Sequence, residues 1–333
     1  MEDKLVLNIK DLVVHYETDN GTVMAVNGIN LKLRQKHSLG LVGETGAGKT
    51  TMALAILNLV SKPAGVIKNG VIEVDGQNVL KMSEEKLQEI RGKDISMIFQ
   101  DPMTALNPVF TIGEQIAESI RIHEKVSEKE AMKKAAEMLE IVGISSARLY
   151  DYPHQLSGGM KQRVVIAIAL ACHAKLLLAD EPTTALDVTI QAQVLELIRS
   201  YREKYATAMI LITHDLGIVA ENCDEVAVMY AGSIVEYGTL EDVFNRTMHP
   251  YTEGLFNSLP NIIQRRSKLT PIPGAVPDPT KLPSGCVFTN RCAYVTEACR
   301  KTKQEDRWIS ETHMIRCSRY SEPDFKIKRK IEQ

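Results

Sequence analysis

The stretch Gly43-Glu-Thr-Gly-Ala-Gly-Lys-Thr50 decides the fold, because its spacing fits the pattern G-x-x-x-x-G-K-[ST]. It follows the apolar segment Ser38–Val42, a predicted buried strand, and it opens an apolar helix predicted over residues 50 to about 59. Glycine-rich backbone in this context lets N–H groups and a helix N-terminus surround phosphates. Lys49 would reach the β- and γ-phosphates of a nucleotide, and the Thr50 hydroxyl would bind Mg²⁺. The candidate phosphate-binding residues are Gly43, Glu44, Thr45, Gly46, Ala47, Gly48, Lys49, Thr50 and Thr51.

A second predicted strand, Leu176–Asp180, ends in an acidic residue, and Glu181 follows it directly. Beside a phosphate-binding loop, Asp180 would hold Mg²⁺ through water. Glu181, one residue further along, could polarise an attacking water molecule. From these residues alone, two solvated acids at a strand end remain the alternative. With the loop, they predict a nucleotide-hydrolysing enzyme.

Composition is that of an ordinary globular protein. The 333 residues are 44% hydrophobic and 25% charged, and the net charge of −2 gives no reason to expect a nucleic-acid partner. The longest apolar run, residues 164–172, falls short of the roughly 20 residues that a membrane-spanning helix needs. The first residues do not form a signal peptide, so we expect a cytoplasmic protein. Disulfides are then not expected, and Cys172 and Cys223 are interpreted as packing residues.

The order of predicted elements indicates an α/β core. Strands alternate with helices before residue 100 and after residue 175, which is typical of a parallel sheet. Residues 5–9, 12–16 and 29–33 predict separate early strands, and residues 189–205 predict a long helix. Residues of about 101–173 form a predicted helical subdomain, and Ser127 with Glu130 fits a capping box there. Proline crowding predicts an irregular C-terminal region over residues 251–333, after a first domain of residues 1–250.

Further motifs make the chain resemble the ATPases of the ABC family. Leu156-Ser-Gly-Gly-Met160 resembles their signature sequence, with Met160 in place of the usual glutamine. The resemblance implies that Ser157, Gly158 and Gly159 face the γ-phosphate of an ATP held by another subunit. It implies an ABC cassette with a RecA-like P-loop NTPase core, an antiparallel β portion and a helical subdomain.

The same resemblance assigns roles to four more residues. Gln100 would link Mg²⁺ and the attacking water to the helical subdomain, and His214 would contact the γ-phosphate. Asp187, in Ala185-Leu-Asp187, would lie near the subunit boundary. Tyr16 falls where an aromatic ring stacks on adenine, although packing is an equally good interpretation of its sequence context. Catalysis would therefore rest on Glu181, His214 and Gln100, and Mg²⁺ would be bound through Thr50, Gln100 and Asp180.

Longer segments resemble the ATPase subunits of oligopeptide and dipeptide importers, namely residues 97–108, 152–160, 180–189 and 249–252. The resemblance implies a peripheral subunit at the cytoplasmic face of the membrane. Its partners would be two membrane permease subunits, a second homologous ATPase in a heterodimer and, indirectly, an extracytoplasmic peptide-binding protein. Sister systems carry nickel, glutathione or sugars, so the cargo cannot be read from this sequence. The alternative is a soluble ABC ATPase of DNA repair or translation, which a single cassette without sustained heptads does not favour.

Four cysteines lie in the proline-rich region with the spacing C-x₅-C-x₆-C-x₁₇-C: Cys286, Cys292, Cys299 and Cys317. Four thiolates suit a [4Fe–4S] cluster or a zinc ion, and the paired spacing usual for zinc is missing. Spacing alone leaves four unconnected thiols as an alternative. The resemblance favours the cluster, because the importer ATPases carry a cysteine quartet associated with [4Fe–4S]. His313 is a less favoured fourth ligand.

Overall fold

The computed structural model describes residues 4–184, 186–258 and 271–327, without the side chains of residues 102 and 103. Of the features interpreted above, Ala185 and, within the predicted irregular region, residues 259–270 and 328–333 lie outside the described residues. Across the described ranges, no helix is both long enough and apolar enough to span a bilayer.

The strands of the described chain form two sheets. The strands are β1 Leu5–Thr18, β2 Gly21–Arg34, β3 Ser38–Val42, β4 Gly65–Val74, β5 Gln77–Asn78, β6 Ile95–Ile98, β7 Leu176–Asp180, β8 Ala208–Ile212, β9 Glu225–Tyr230, β10 Ser233–Thr239, β11 Arg307–Trp308 and β12 Met314–Ile315. The smaller sheet has the order β2-β1-β4-β5 and is antiparallel. The larger one has the order β11-β12-β10-β9-β3-β8-β7-β6.

The helices of the described chain are α1 Lys49–Ile56, α2 Glu84–Ile90, α3 Pro102–Ala105, α4 Ile112–His123, α5 Glu128–Ile141, α6 Gly158–Leu170, α7 Val188–Tyr205, α8 Leu216–Asn222, α9 Pro250–Asn257 and α10 Glu297–Lys301. Helices α3 to α6 fall within the predicted helical subdomain, whose boundaries we retain as a proposal. One half of the capping box predicted for Ser127 and Glu130 is present, since the Ser127 hydroxyl accepts the Glu130 N–H at 3.3 Å. The α/β fold class with an antiparallel β portion and a helical block is confirmed.

The parallel part of the larger sheet positions the candidate site. Strands β6, β7, β8, β3 and β9 run in parallel and are almost entirely buried. Parallel strands end at one common edge, and ligands of open α/β sheets bind there. The phosphate-binding loop follows β3, Glu181 follows β7, His214 comes shortly after β8, and Gln100 comes shortly after β6. Residues far apart in the chain therefore meet at this edge.

The C-terminal region is more closely tied to the sheet than its proline content predicts. Helix α9 begins at Pro250, where the sequence analysis predicted irregular chain, because proline is compatible with the first turn of a helix. Strand β12 extends the larger sheet by pairing with β10, and β11 pairs with β12. Tyr251 and Phe288 belong to the same apolar core as the strands. The division at residue 250 stays a proposal.

Candidate active site

Two glycines of the loop after β3 are required by the backbone that passes beside it. A Cβ at Gly43 would lie 2.1 Å from the Met229 carbonyl oxygen, and one at Gly48 would lie 2.2 Å from the Ala25 carbonyl oxygen. Both have positive φ, 154° and 100°. No other residue type fits without displacing backbone, so the loop can approach the neighbouring chain only with glycine at these positions.

Lys49 is the buried cation of the loop. Only 8% of the residue is exposed, and its ammonium donates to the carbonyl oxygens of Gly43 at 2.7 Å and Glu44 at 3.1 Å. Burial lowers the pKa of Lys49, while the nearby charges of Glu181, Asp180 and Glu44 act in the opposite direction. The loop thus encloses the Lys49 ammonium group, and a positive charge enclosed by backbone in this way is suited to binding phosphate oxygens.

Thr50 and Asp180 meet at the floor of the site. The Thr50 hydroxyl donates to Asp180 Oδ2 at 2.8 Å, and Asp180 is only 2% exposed. Burial raises the pKa of the Asp180 carboxyl, as does the negative charge of Glu181, whereas the Thr50 hydrogen bond and Lys49 lower it. A hydroxyl and a buried carboxylate at this distance fit the oxygen ligands and water shell that Mg²⁺ prefers.

Glu181 is held by three side chains. Its Oε2 accepts from Gln100 Nε2 at 3.0 Å and from the Thr184 hydroxyl at 2.8 Å, and its Oε1 lies 3.2 Å from Nδ1 of His214. Its backbone is in the left-handed region with φ of 47°, and its N–H donates to Ile212. Burial raises the pKa of this carboxyl, but the hydrogen bonds from Thr184 and His214 outweigh it, so the net shift is downward. The carboxylate stays ionised and is oriented to accept a proton.

Gln100, Glu181 and His214, the predicted catalytic residues, lie together, because Gln100 and His214 both contact the Glu181 carboxylate. The His214 side chain is 69% exposed, so its ring is accessible to a ligand. Tyr16 lies in β1 opposite Gly65 and is half-buried. Its stacking on adenine stays a prediction.

The signature segment lies at the surface, at the start of α6. Ser157 is exposed and caps the helix, since its Oγ accepts the Met160 N–H at 3.3 Å. Gly158 is exposed too, and a Cβ on Gly159 would lie 3.4 Å from Ile190 at the start of α7. Asp187 caps α7 by accepting from the Ile190 N–H at 3.0 Å. An exposed helix N-terminus of this kind presents free N–H groups to an anion from outside the subunit.

Two residues that the sequence analysis did not single out contact the loop. Tyr251 accepts the Glu44 N–H at 2.9 Å, and Arg291 binds the Glu44 carboxylate through both terminal nitrogens. Tyr251 lies within the segment 249–252 that resembles importer ATPases, but that resemblance assigns it no contact, and no local pattern marks Arg291. Sequence spacing cannot reveal them, because both contacts join residues more than 200 positions apart.

The four cysteines of the C-terminal region line one small cavity, together with residues such as His249 and Phe288. None forms a disulfide. Burial raises the pKa of Cys286 to about 11, of Cys317 to about 12, and that of Cys292 as well. For Cys299 burial acts upward too, but hydrogen bonds with Thr296 and Ser318 bring its pKa below the usual value.

In the described ranges, no three or more His, Cys, Asp or Glu side chains are arranged as ligands of a single ion. His313 is not among the residues that line the cysteine cavity, because its Nε2 pairs with the buried Glu236 carboxylate at 2.9 Å. The four cysteines thus line one cavity without His313, but they are not arranged as ligands of a single ion.

Two families match parts of this chain. Residues 26–184 match the family described as ABC transporter. Residues 235–299 match the family described as oligopeptide/dipeptide transporter, C-terminal region, and this range includes Cys286, Cys292 and Cys299.

Similar proteins cover nearly the whole chain. A probable peptide ABC transporter ATP-binding protein of Sinorhizobium fredii is 47% identical over 96% of this chain and 96% of its own length. An oligopeptide transport ATP-binding protein of Bacillus subtilis is 47% identical over 93% of this chain and 87% of its own. A dipeptide transport ATP-binding protein of the same organism is 45% identical over 94% of each chain.

Solved structures of ATP-binding cassettes share the fold. One was solved as a dimer in a post-hydrolysis state with ADP and phosphate, and it has a TM-score of 0.64 and 26% identity over 70% of this chain and 98% of its own. The protein cbiO1 of Clostridium perfringens, part of the ABC transporter complex cbiONQ, has a TM-score of 0.61 and 29% identity over 73% of this chain and 92% of its own.

Proposed function

The chain belongs to the ATP-binding proteins of ABC transporters of the oligopeptide and dipeptide type, and from that premise we propose that it hydrolyses ATP to power import of dipeptides or oligopeptides through a membrane permease. The observation that carries the proposal is the contact of Glu181 with Gln100, Thr184 and His214 beside the Thr50–Asp180 pair. A single ionised carboxylate held in place next to a phosphate-binding loop fits hydrolysis, because it can orient and deprotonate water.

The residues divide the work of hydrolysis among them. Lys49 and the N–H groups of the loop that have no partner within the chain would hold the β- and γ-phosphates. Thr50 and Asp180 would hold Mg²⁺, which would screen the charge of the triphosphate. Glu181 accepts the proton of the attacking water. His214 and Gln100 keep the Glu181 carboxylate aimed, and the exposed His214 ring also contacts the γ-phosphate. Tyr16 stacks on the adenine.

A second cassette completes the site. Ser157 and Gly158 are exposed and Gly159 is half-buried at the N-terminus of α6, so this segment is open to the γ-phosphate of an ATP held by the partner subunit. Asp187, exposed at the start of α7, lies at the same boundary. Two related ATPases closing on two ATP molecules would form the working heterodimer. Closure drives the permease, and hydrolysis reopens the dimer.

The permease is contacted next to Gln100. Gln100 lies between β6 and the helical block and donates to the Glu181 carboxylate, so a movement of that block would shift Gln100 and change this hydrogen bond. Val109 and Phe110 are exposed apolar residues in the same stretch and would receive a short cytoplasmic helix of the permease. The chain would thus sit peripherally at the cytoplasmic face of the membrane, under two permease subunits that a peptide-binding protein supplies from outside. The test is ATP-driven peptide uptake with Glu181→Gln as the inactive variant.

We propose in addition that the four cysteines hold a [4Fe–4S] cluster, with zinc as the alternative. The supporting observation is that four thiols from separate parts of the chain, one of them Cys299 on the short helix α10, line one cavity. Thiolates are the ligands that such a cluster uses, and a bound cluster would organise a segment that otherwise buries little apolar area.

Anaerobic purification tests the cluster. The full chain should be brown, with broad absorption near roughly 400 nm and equal amounts of iron and sulfide. Cys317→Ser should lose the colour, whereas Cys172→Ser, a thiol outside the cavity, should keep it. Stoichiometric zinc in colourless protein would decide for the alternative, and protein without metal would rule out both.

A further inference from the structure

Glu44, the second residue of the phosphate-binding loop, is held at three points. Its N–H donates to the Tyr251 hydroxyl at 2.9 Å, and its carbonyl oxygen accepts from the Lys49 ammonium at 3.1 Å. Its carboxylate takes both terminal nitrogens of Arg291, with Nη1 2.6 Å from Oε2 and Nη2 3.0 Å from Oε1. Tyr251 and Arg291 both belong to the C-terminal region, residues 251–333, so that region contacts the phosphate-binding loop directly.

Arg291 is itself fixed in place. Its side chain is 5% exposed, and its Nε and Nη2 also donate to the carbonyl oxygens of Pro273 and Ile272. The guanidinium lies 5.8 Å from the centre of the Tyr230 ring, and the hydrogen bonds to Glu44 raise its pKa above the usual range. The Glu44 side chain is 30% exposed, so the pair is partly buried. A two-pronged arginine–carboxylate pair is more directional than a single-pronged ion pair.

The segment that carries Arg291 is packed through the aromatic ring of Phe288 and is flanked by cysteines that line the cavity. Phe288 meets the rings of Tyr230 and Tyr251 at 5.2 and 5.4 Å between centroids. Arg291 lies between Cys286 and Cys292 in the chain, and both cysteines line the cavity. The position of Arg291 is therefore set by the C-terminal region, not by the loop that it contacts.

We infer that Arg291 is a positioning residue of the ATP site, through which the C-terminal region sets the affinity of the phosphate-binding loop for ATP. Two physical effects combine. Arg291 neutralises the Glu44 carboxylate, which would otherwise repel the triphosphate. It also fixes the Glu44 backbone, whose carbonyl oxygen helps to place the Lys49 ammonium. The inference rests on the proposed ATP-hydrolysing function and adds the C-terminal region to its ATP site.

The test is the Kd of a fluorescent ATP analogue with Mg²⁺, measured on the full chain. Arg291→Gln should raise Kd roughly tenfold to a hundredfold, because a hydrogen-bonded charge pair next to a ligand is lost. Turnover at saturating ATP should change much less, because Arg291 does not touch Glu181 or its partners. Arg291→Lys, which keeps the charge without the two-pronged geometry, should lie between the wild type and Arg291→Gln.

A second substitution separates charge repulsion from simple loss of structure. In Arg291→Gln with Glu44→Gln, the unpaired carboxylate is gone, so Kd should return most of the way to the wild-type value. Arg316→Gln is the matched control, because Arg316 is a partly buried arginine of the same region that pairs with Asp306 and makes no hydrogen bond to the loop. It should leave Kd unchanged.

Equal Kd for Arg291→Gln and wild type, or an equal rise for Arg316→Gln, would overturn the inference. If Arg291→Gln fails to fold, as a thermal melt would show, Arg291→Lys with and without Glu44→Gln decides in its place. Lys49→Ala serves as the reference for lost ATP binding, so it separates a failure of the Arg291 inference from a failure of the proposed function. A wild type that binds the analogue no better than Lys49→Ala would refute the proposed function, whereas a wild type that binds well leaves the Arg291 comparison decisive.

Discussion

Asp180 is a residue whose burial serves function at a cost in stability. Burial raises the pKa of its carboxyl, so the folded, nucleotide-free protein disfavours the charge that the proposed binding of Mg²⁺ needs. A carboxyl whose pKa is raised by folding adds stability while it is protonated, and that stability is lost as the pH rises through the folded pKa. At neutral pH the charged Asp180 therefore destabilises the nucleotide-free fold.

Asp180→Asn should raise the stability of the nucleotide-free protein at about pH 7 by about 1 kcal/mol, the scale found when strained functional sites are relieved. The gain should shrink as the pH is lowered to about 4, because the raised pKa favours protonation of the wild-type carboxyl in the folded protein. The same variant should lose the extra stability that Mg²⁺ with ATP gives the wild type. Thermal melts at both pH values, with and without Mg²⁺ and ATP, measure all three effects.

Asp242→Asn is the control, because it should change the stability of the protein in the opposite direction to Asp180→Asn. Asp242 is buried as well, but the Thr239 and Thr312 hydroxyls donate to its carboxylate at 2.8 and 2.7 Å. Burial raises the pKa of this carboxyl, yet these hydrogen bonds outweigh it and the net shift is downward. Asp242→Asn should therefore lower stability at about pH 7. A loss of stability in Asp180→Asn equal to that in Asp242→Asn would contradict the account of Asp180.

For individual residues, the sequence predicts which ones near strand ends belong to the candidate site, but it does not predict contacts between distant segments. Gln100, Glu181 and His214 could be grouped because each follows a predicted strand or matches a short motif. The Arg291–Glu44 pair spans 247 positions, and nothing near Arg291 in the sequence marks it. Such a contact depends on where two irregular segments meet, which only the folded chain determines.

Helix α6 combines a structural cap with a proposed ligand site. Ser157 caps α6 and Ser127 caps α5 with the same geometry, each hydroxyl accepting a backbone N–H at 3.3 Å. Removing either cap should cost about 1 kcal/mol of stability. Only Ser157 is proposed to touch the ATP of the partner subunit.

Ser157→Ala and Ser127→Ala should therefore lower thermal stability about equally, but only Ser157→Ala should lower ATP turnover in the assembled transporter, by roughly tenfold for a lost hydrogen bond to a charged phosphate. Paired melts and turnover assays on the two variants measure this. Equal turnover in the two variants would remove Ser157 from the site.

Elements with a simple apolar pattern were predicted well. Strand β3 was predicted to the residue, because all five of its residues are buried. The two early strands predicted over residues 5–9 and 12–16 were wrong, since the structure has one continuous strand, β1. Its pairing with β2 is irregular between Ile9 and Leu12, where Asp11 takes a φ of 45°. A bulge interrupts the alternation in the sequence without ending the strand.

In the whole molecule, the order of the strands determines the site, and that order could not be predicted. The sequence gives alternating elements, but the placement of β3 between β8 and β9 depends on long-range packing. The C-terminal region likewise adds β12 and β11 to the sheet edge and sends Tyr251 and Arg291 to the loop. The predicted irregular appendage is thus partly an extension of the sheet.

The whole-molecule account predicts that peptide import depends on hydrolysis at Glu181. The measurement that tests it most directly is the rate of ATP-dependent uptake of a labelled peptide into vesicles that carry this chain, its partner ATPase, the permease and the peptide-binding protein. Glu181→Gln should bind ATP as well as the wild type does but import peptide at least roughly 100-fold more slowly, because the base that activates water is lost. Glu89→Gln, an exposed carboxylate on α2 paired with Lys86, should import at the wild-type rate. Undiminished uptake by Glu181→Gln would contradict the account.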